Sequence, residues 1–291
     1  MCGIVGYIKL ADRQVSDKEH DELVIRTTLI DLFENSVARG RDACGYAFSS
    51  NNQIVYHKQK GAANQNSFID TLNASFDTHG LPEVFIGHTR AKTKGDFENN
   101  NNNHPIVSHN NLFATVHNGH INNDDELRKT LPPNVPSNAE VDSEIITRLL
   151  EVEYNAATDR NPRTIIKCVQ NVTKQLAGGF ACATIDAQNP RRLILFKHGN
   201  PIVLCGDIEN GIVWFASLSK YLEDSINPRT LFFNLLVKNG SKNFVINDVP
   251  DNKVLIIDQL NSKEFSSVMA DIDYKAYTQP TSARYTNHVG V

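Results

Sequence analysis

The second residue is the first candidate for chemistry, because the chain opens with the segment MCGIVG. Removal of the initiator Met would leave Cys2 with a thiol and a free α-amino group on the same residue. An α-amine has a pKa of about 7.7–8.0, so it can accept a proton near neutral pH and activate its own side-chain nucleophile. On position alone, Cys2 is more often a small apolar residue that starts a strand, and other residues must decide.

A second candidate is the arginine in the segment GHTRAKTKG, residues 87–95. Arg90 ends an apolar run that predicts a buried strand, and a buried guanidinium needs polar or anionic partners. A substrate carboxylate would provide paired hydrogen bonds, whereas an internal ion pair with a protein carboxylate is the commoner explanation. This segment alone leaves both interpretations open.

Two further segments are HNGHINN at 117–123 and VDSE at 141–144. Asn-Gly after a strand usually forms a hairpin turn. The functional alternative is an oxyanion hole, in which the Asn118 amide and the Gly119 backbone N–H donate to a developing O⁻. Asp142 is either the N-cap of a predicted helix or an acceptor for a substrate ammonium group.

In this order, the segments strongly resemble the glutaminase domain of class II, N-terminal-nucleophile glutamine amidotransferases, above all the glucosamine-6-phosphate synthase type. The resemblance covers roughly residues 2–220. The matching residues are CGIVG at 2–6, Arg39, Gly40, Asp42 and Gly45, GHTR at 87–90 with Thr93 and Gly95, NHP at 103–105, HNG at 117–119 with Ile121 and Asn123, Asp142 and Glu144, GGFA at 178–181 and FAS at 215–217.

The resemblance implies a role for each matching residue. Cys2 Sγ attacks the side-chain amide carbon of glutamine, and the Cys2 α-amine acts as general base before it protonates the leaving ammonia. Asn118 and Gly119 form the oxyanion hole. Arg90 binds the α-carboxylate of glutamine, and Asp142 binds its α-ammonium group. Water then hydrolyses the γ-glutamyl thioester to glutamate.

The resemblance also implies that Thr93 and its loop cover the substrate, and that Arg39 and Asp42 support the nucleophile without touching the substrate. Two residues of this loop depart from the family pattern. Ala91 stands where the synthase relatives usually carry an aromatic residue, and Lys94 where they tend to carry His. We therefore expect closure of the loop over the substrate to differ in this chain.

Hydrophobic periodicity predicts an α+β fold, because strands and helices do not alternate strictly. Helices are predicted over 17–38, 126–130, 142–154 and 164–176, with Ser16 as the first N-cap. Strands are predicted over 3–8, 44–48, 54–57, 84–90, 112–117, 180–185, 193–197, 201–205, 212–216 and 254–257. The resemblance implies a four-layer αββα sandwich of the N-terminal-nucleophile hydrolase type. We expect one domain over 1–265, a polar tail over 266–291, and a mobile, little-buried loop around the five Asn residues at 99–103.

Composition excludes several classes of protein. The chain has 291 residues and a net charge of -4, without the basic footprint of a nucleic-acid-binding protein. No apolar segment is long enough to cross a membrane, and no signal peptide is evident. The five cysteines are irregularly spaced and include no CxxC pair, so the sequence supports neither a zinc site nor a redox motif. This cysteine usage fits a protein of the reducing cytoplasm best. No metal is expected at His104, His117 and His120, whose spacing suits ligands poorly, and the chemistry requires no organic cofactor.

Three functions compete. The first is a stand-alone glutaminase that feeds ammonia to a separate synthase, since no phosphate-binding loop or nucleotide-binding pattern occurs in the sequence. The second is an amidohydrolase that acts on another γ-glutamyl amide, to which the altered residues Ala91 and Lys94 lend support. The third is a glutamine sensor or scaffold with a decayed site. The joint presence of all the matching site residues favours the first. The sequence predicts no oligomeric state.

Overall fold

The computed structural model describes residues 2–10, 18–207, 210–234, 244–261 and 264–275. The predicted N-cap Ser16 and residues 276–291 lie outside the described residues. The helices are α1 (Lys18–Ser36), α2 (Asn66–His79), α3 (Asp124–Arg128), α4 (Ser143–Ala156), α5 (Pro162–Thr173) and α6 (Ser219–Asn234), with a 3₁₀ turn at Asn100–Asn102. The strands are β1 (Gly3–Lys9), β2 (Ala43–Ser50), β3 (Gln53–Lys60), β4 (Val84–Arg90), β5 (Ile106–Val107), β6 (Phe113–Ile121), β7 (Gly178–Asp186), β8 (Asn189–His198), β9 (Val203–Asp207), β10 (Ile212–Ala216), β11 (Phe244–Asp248), β12 (Lys253–Asn261) and β13 (Glu264–Asp271).

The strands form two antiparallel sheets. The first has the order β11-β9-β10-β1-β4-β2-β3, and the second has the order β13-β12-β8-β7-β6-β5. Strand β1 therefore lies in the interior of the first sheet, between β10 and β4. Strand β6 pairs with β7 over its whole length.

Three apolar clusters hold the layers together. One lies between the sheets and contains Ile4 of the first sheet and Leu195 of the second. Another joins helices α1, α2 and α6 to the outer face of the first sheet, and the third joins α4 and α5 to the outer face of the second. This arrangement is the four-layer αββα sandwich that the family resemblance implies, and the predicted fold class is confirmed.

Several local expectations differ from the structure. The run of Asn residues at 99–103 is buried in part, because Asn99, Asn100 and Asn101 are exposed as expected whereas Asn102 and Asn103 are fully buried. Helix α2 was not predicted, although Phe68, Leu72 and Phe76 recur at helical spacing on its buried face. The expected boundary after residue 265 falls inside β13, which pairs with β12 through Asp271.

Two glycines are required by close backbone approach. Gly40 follows α1 as a predicted helix stop, but a Cβ there would lie 2.4 Å from the carbonyl carbon of Arg90. Gly119 has a φ of +139° inside β6, and a Cβ there would lie 2.1 Å from the Gly179 carbonyl oxygen. Asn118 and Gly119 therefore belong to a strand, and the hairpin turn that the sequence alone favours for this segment is not formed.

Candidate active site

The topology places the predicted residues at one end of the sandwich. Cys2 directly precedes β1, and the register of Gly3 with Thr89 brings it beside Arg90, the last residue of β4. Val5 pairs with Ala216 at the end of β10, so the following residue, Ser217, lies at the same end. Antiparallel pairing thus gathers residues that are far apart in sequence.

The Cys2 thiol is held against the loop that follows β4. Its Sγ donates to the carbonyl oxygen of Ala91 at 3.6 Å, and Arg39 Nε donates to the Cys2 carbonyl oxygen at 2.5 Å. Burial raises the pKa of the Cys2 thiol, and this outweighs the lowering by the Ala91 hydrogen bond and by the charge of Arg90. The resting group is therefore the protonated thiol.

Arg90 is a buried cation whose partners are all neutral. Its guanidinium donates to Asn103 Oδ1 at 2.7 Å, and to the carbonyl oxygens of Lys94 at 2.7 Å and Gly95 at 3.0 Å. No carboxylate of the described residues forms an ion pair with it, so the internal ion pair considered from sequence is absent there. These bonds leave N–H donors of Arg90 unused, and its charge remains available for an anionic ligand.

The side chain of Asn118 is connected to strand β1 through Ser217. Asn118 Nδ2 donates to Ser217 Oγ at 2.7 Å, and the same hydroxyl accepts the Ile4 N–H at 2.8 Å. Both side chains are buried, and Asn118 Oδ1 has no hydrogen-bond partner among the described residues. Ser217 thus fixes the orientation of the Asn118 amide relative to β1.

Asp142 lies at the start of α4 but does not cap it, since its side chain makes no capping hydrogen bond. Instead, Asp142 Oδ2 accepts the Ile121 N–H at 2.7 Å and lies 3.4 Å from His120 Nδ1. Asp142 Oδ1 makes no hydrogen bond within the described residues. Its charge raises the pKa of Cys2, after the larger effect of burial, so thiol and carboxylate sit within electrostatic range.

The loop after β4 carries the remaining predicted residues. Asp42 Oδ2 accepts the Lys92 N–H at 2.6 Å, so it holds this loop and does not contact Cys2, whereas Arg39 does. Thr93 is exposed, and its hydroxyl forms no hydrogen bond within the described residues. Lys94 Nζ reaches across to Asp124 Oδ2 at 2.7 Å and Asp125 Oδ1 at 2.9 Å.

Three buried histidines lie behind the site between the sheets. His88 Nε2 donates to the His117 carbonyl oxygen at 3.0 Å, and the rings of His88 and His104 have centroids 4.1 Å apart. Burial lowers the pKa of His88 to about 3, and burial also lowers the pKa of His104 and of His117. All three rings are neutral at physiological pH. No group of His, Cys, Asp or Glu among the described residues is arranged to hold a metal ion.

Two contributors to the site were missed by sequence reasoning, although both lie in segments that match the family. Asn103 orients Arg90, and Ser217 orients Asn118. Their roles depend on partners 13 and 99 residues away, which local pattern does not reveal. The only available signal was their position within the matching segments NHP and FAS.

Comparison with known proteins assigns the chain to a family. A family model described as a glutamine amidotransferase domain matches residues 88–224, which include Arg90, Asn118, Asp142 and Ser217. The chain carries a class II glutamine amidotransferase domain. The fold agrees, because the glutamine phosphoribosylpyrophosphate amidotransferase from B. subtilis superposes with a TM-score of 0.59 over 92% of this chain and 49% of that one, at 17% identity.

The domain is also similar to curated glutamine–fructose-6-phosphate aminotransferases (isomerizing). The Aquifex aeolicus protein is 31% identical over 72% of this chain and 32% of its own length. The Wigglesworthia glossinidia brevipalpis protein is 29% identical over 90% of this chain and 38% of its own length. The amidotransferase chain thus spans well under half the length of these relatives. Among the helices that the structure describes, none has the length and apolar character needed to cross a membrane.

Proposed function

We propose that this domain hydrolyses the side-chain amide of glutamine to glutamate and ammonia through a Cys2 thioester. The observation that carries the proposal is, within the described part of the chain, a buried guanidinium without a carboxylate partner and a carboxylate with one free oxygen, both close enough to the Cys2 thiol to shift its pKa. Arg90 has no carboxylate partner among the described residues, and Asp142 keeps one oxygen unbonded. Such a pair fits the α-carboxylate and α-ammonium groups of an amino acid.

The proposed reaction begins once Met1 has been removed. The free α-amine of Cys2 takes the thiol proton as Sγ attacks the amide carbon of glutamine, and the oxyanion accepts hydrogen bonds from the Asn118 amide and the Gly119 N–H. The amine then returns the proton to the leaving nitrogen, and ammonia departs. Water hydrolyses the thioester to glutamate. The raised pKa of the Cys2 thiol supports this need for a base.

The proposal assigns the remaining residues to support. Arg39 holds the Cys2 carbonyl, Asp42 holds the loop that carries Thr93, and Thr93 covers the bound substrate. We further propose that the ammonia acceptor is a separate synthase, that no cofactor takes part, and that the protein works in the cytoplasm.

Steady-state assays of glutamate and ammonia formation test this function. Wild-type protein should release glutamate and ammonia in equal amounts, and Cys2→Ala should abolish both. Cys44→Ala is the matched control, because Cys44 is buried and burial raises the pKa of its thiol to about 12. Equal activity of Cys2→Ala and wild type would refute the assignment of the nucleophile.

The second candidate is hydrolysis of another γ-glutamyl amide. It is favoured by Ala91, whose carbonyl oxygen accepts from the Cys2 thiol and whose side chain is smaller than the aromatic residue usual at this position in the synthase relatives. The same assay with γ-glutamyl amides of larger amines separates the two candidates. A higher kcat/KM for such an amide than for glutamine would select the second.

A further inference from the structure

A second polar cavity lies on the side of the sandwich where β3, β5 and α4 meet. It has a volume of about 340 Å³, which is within the range of small-molecule sites. Its walls include Tyr56 and Lys58 from β3, Asn101 from the 3₁₀ turn, and Glu144 and Arg148 from α4. None of Cys2, Arg90, Asn118 and Asp142 lines it.

Glu144 is the carboxylate that lines this cavity, and its oxygens already accept several hydrogen bonds. Glu144 accepts from Arg128 at 2.8 Å, from Arg148 at 3.2 Å, and from the backbone N–H groups of Asn138 at 2.8 Å and Ala139 at 3.0 Å. Burial would raise the pKa of Glu144, but hydrogen bonds from the Ser137 hydroxyl, from the two backbone N–H groups and from Arg128 keep it below its usual value. The carboxylate is therefore ionised, and its lone pairs are occupied.

The positively charged side chains of the cavity are not all paired with carboxylates. Arg148 is bonded to Glu144 and, at 2.9 Å, to Glu151. Lys58 is half-buried, yet its ammonium group has no hydrogen bond and no ion pair within the described residues. Its nearest partner is the ring of Tyr56, with Nζ 5.9 Å from the centroid. Among the described residues that line the cavity, Arg148 is paired with Glu144 and Glu151, and His109 Nδ1 lies 2.9 Å from Glu151 Oε2, so Lys58 is the cation there without a carboxylate partner.

We propose that this cavity binds a small organic anion, with a phosphate or carboxylate group at the Lys58 ammonium and Arg148 nearby. Tyr56 and Asn101 line the same cavity and are exposed, so they are available to contact the remainder of the molecule. An unpaired, partly desolvated cation gains from an anionic partner more than an exposed lysine does.

The ionisation of Lys58 agrees with this site. Burial, and then the charge of Arg148, lower the pKa of Lys58 to about 8 against the raising effect of Glu144. An anion at Nζ would stabilise the charged form. Binding should therefore be strongest below about pH 8 and weaken above it as the free protein loses this proton.

The cavity is separate from the glutamine anchors but lies close to them. The Lys58 carbonyl oxygen accepts from Asn100 Nδ2 at 3.1 Å. Asn100 Oδ1 accepts from Asn103 Nδ2 at 3.0 Å, and Asn103 in turn holds Arg90. Binding at Lys58 does not depend on the proposed glutaminase activity, so failure of one leaves the other standing.

Isothermal titration calorimetry on the full chain tests the site with glucose 6-phosphate, inorganic phosphate and succinate as probes. At least one probe should bind with one-to-one stoichiometry at pH 7, and comparison of the three distinguishes phosphate from carboxylate recognition. Lys58→Met should weaken binding by about tenfold or more, and Lys58→Arg should largely retain it. Lys60→Met is the matched control, because Lys60 lies on the same strand but pairs with Glu98 at the surface.

A second readout does not depend on any variant. In wild-type protein near pH 8, Lys58 should be acetylated by acetic anhydride faster than Lys60, and the bound probe should protect it, as mapped by peptide mass spectrometry. Absence of binding for all three probes, or equal affinity of Lys58→Met and Lys60→Met, would overturn the proposal.

Discussion

Lys94 Nζ lies 2.7 Å from Asp124 Oδ2, and this ion pair joins the loop after Arg90 to the first turn of α3. Asp125 adds a second carboxylate at 2.9 Å. Burial alone would lower the pKa of Lys94, but the hydrogen bonds to both aspartates raise it. Lys94, which departs from the family pattern, therefore anchors, through two ion pairs, the loop that we propose covers the substrate.

Replacing Lys94 by Met should remove these two ion pairs and weaken the attachment of the loop to α3. We expect the KM for glutamine to rise by up to about fivefold, as for a partly exposed ion pair, with a smaller change in kcat. The wild-type KM should also rise with salt concentration, because exposed charges are screened. Lys92→Met is the control, since Lys92 lies on the same loop but its ammonium faces the Phe97 ring. An equal change of KM in the two variants would contradict the proposal that the Lys94 ion pairs hold the loop in place.

Removing the Ser217 hydroxyl should disconnect Asn118, the proposed oxyanion donor, from strand β1. Ser217→Ala leaves the Ile4 N–H and the Asn118 amide without their shared acceptor, so kcat for glutamate formation should fall by about tenfold to a hundredfold. The loss of stability should be about 1–3 kcal/mol. Ser225→Ala provides the comparison, because Ser225 is equally buried and accepts from Asn35 away from the site. Its kcat should stay near the wild-type value, and a similar fall there would assign the effect to stability alone.

Neutralising Asp142 should weaken binding of the substrate ammonium group. Asp142→Asn keeps an oxygen for the Ile121 N–H but loses the charge, and the KM for glutamine should rise by about tenfold to a hundredfold. The buried Asp186, which accepts from the Gln188 N–H, offers a matched control as Asp186→Asn. An unchanged KM in Asp142→Asn would contradict the proposed ammonium anchor.

The buried histidines should make the domain sensitive to acid. The unfolded chain protonates His88, His104 and His117 near a pKa of about 6.5, whereas burial keeps the folded rings neutral, with a pKa of about 3 for His88. Below about pH 6.5 the unfolded state binds more protons, so stability should fall by up to about 1.4 kcal/mol per pH unit for each histidine. The loss from His88 should continue until the pH approaches about 3.

Urea unfolding between pH 7.5 and pH 5 measures this slope. His104→Leu should flatten it by about one proton, because His104 is buried and neither ring nitrogen has a hydrogen-bond partner among the described residues. His57→Leu, at a half-buried ring on β3, serves as the comparison. An unchanged slope in His104→Leu would show that this ring is not excluded from protonation in the folded state.

The sequence predicted what is encoded locally. Strands β1, β2 and β3 and the amphipathic helices α4 and α5 follow from hydrophobic periodicity. The candidate site residues came from a resemblance over separated motifs, because no single motif distinguishes chemistry from an ordinary turn or cap.

What the sequence did not predict depends on distant partners. Asn102 and Asn103 belong to a run that composition assigns to an exposed loop, yet their amides are satisfied by Glu140, Asp96 and Arg90. The role of Ser217 required knowing that β10 lies beside β1. Tertiary hydrogen bonds of this kind override local preference, because a buried amide with partners costs far less than one without.

The central claim is that Cys2, freed from Met1, is the nucleophile of a glutamine site. Intact-mass analysis of the purified chain before and after exposure to 6-diazo-5-oxo-norleucine, an electrophilic glutamine analogue, tests it most directly. We predict a chain that lacks Met1 and gains one adduct, mapped to Cys2 and blocked by excess glutamine. A chain that retains Met1, or a processed chain that gains no adduct at Cys2, would contradict the claim.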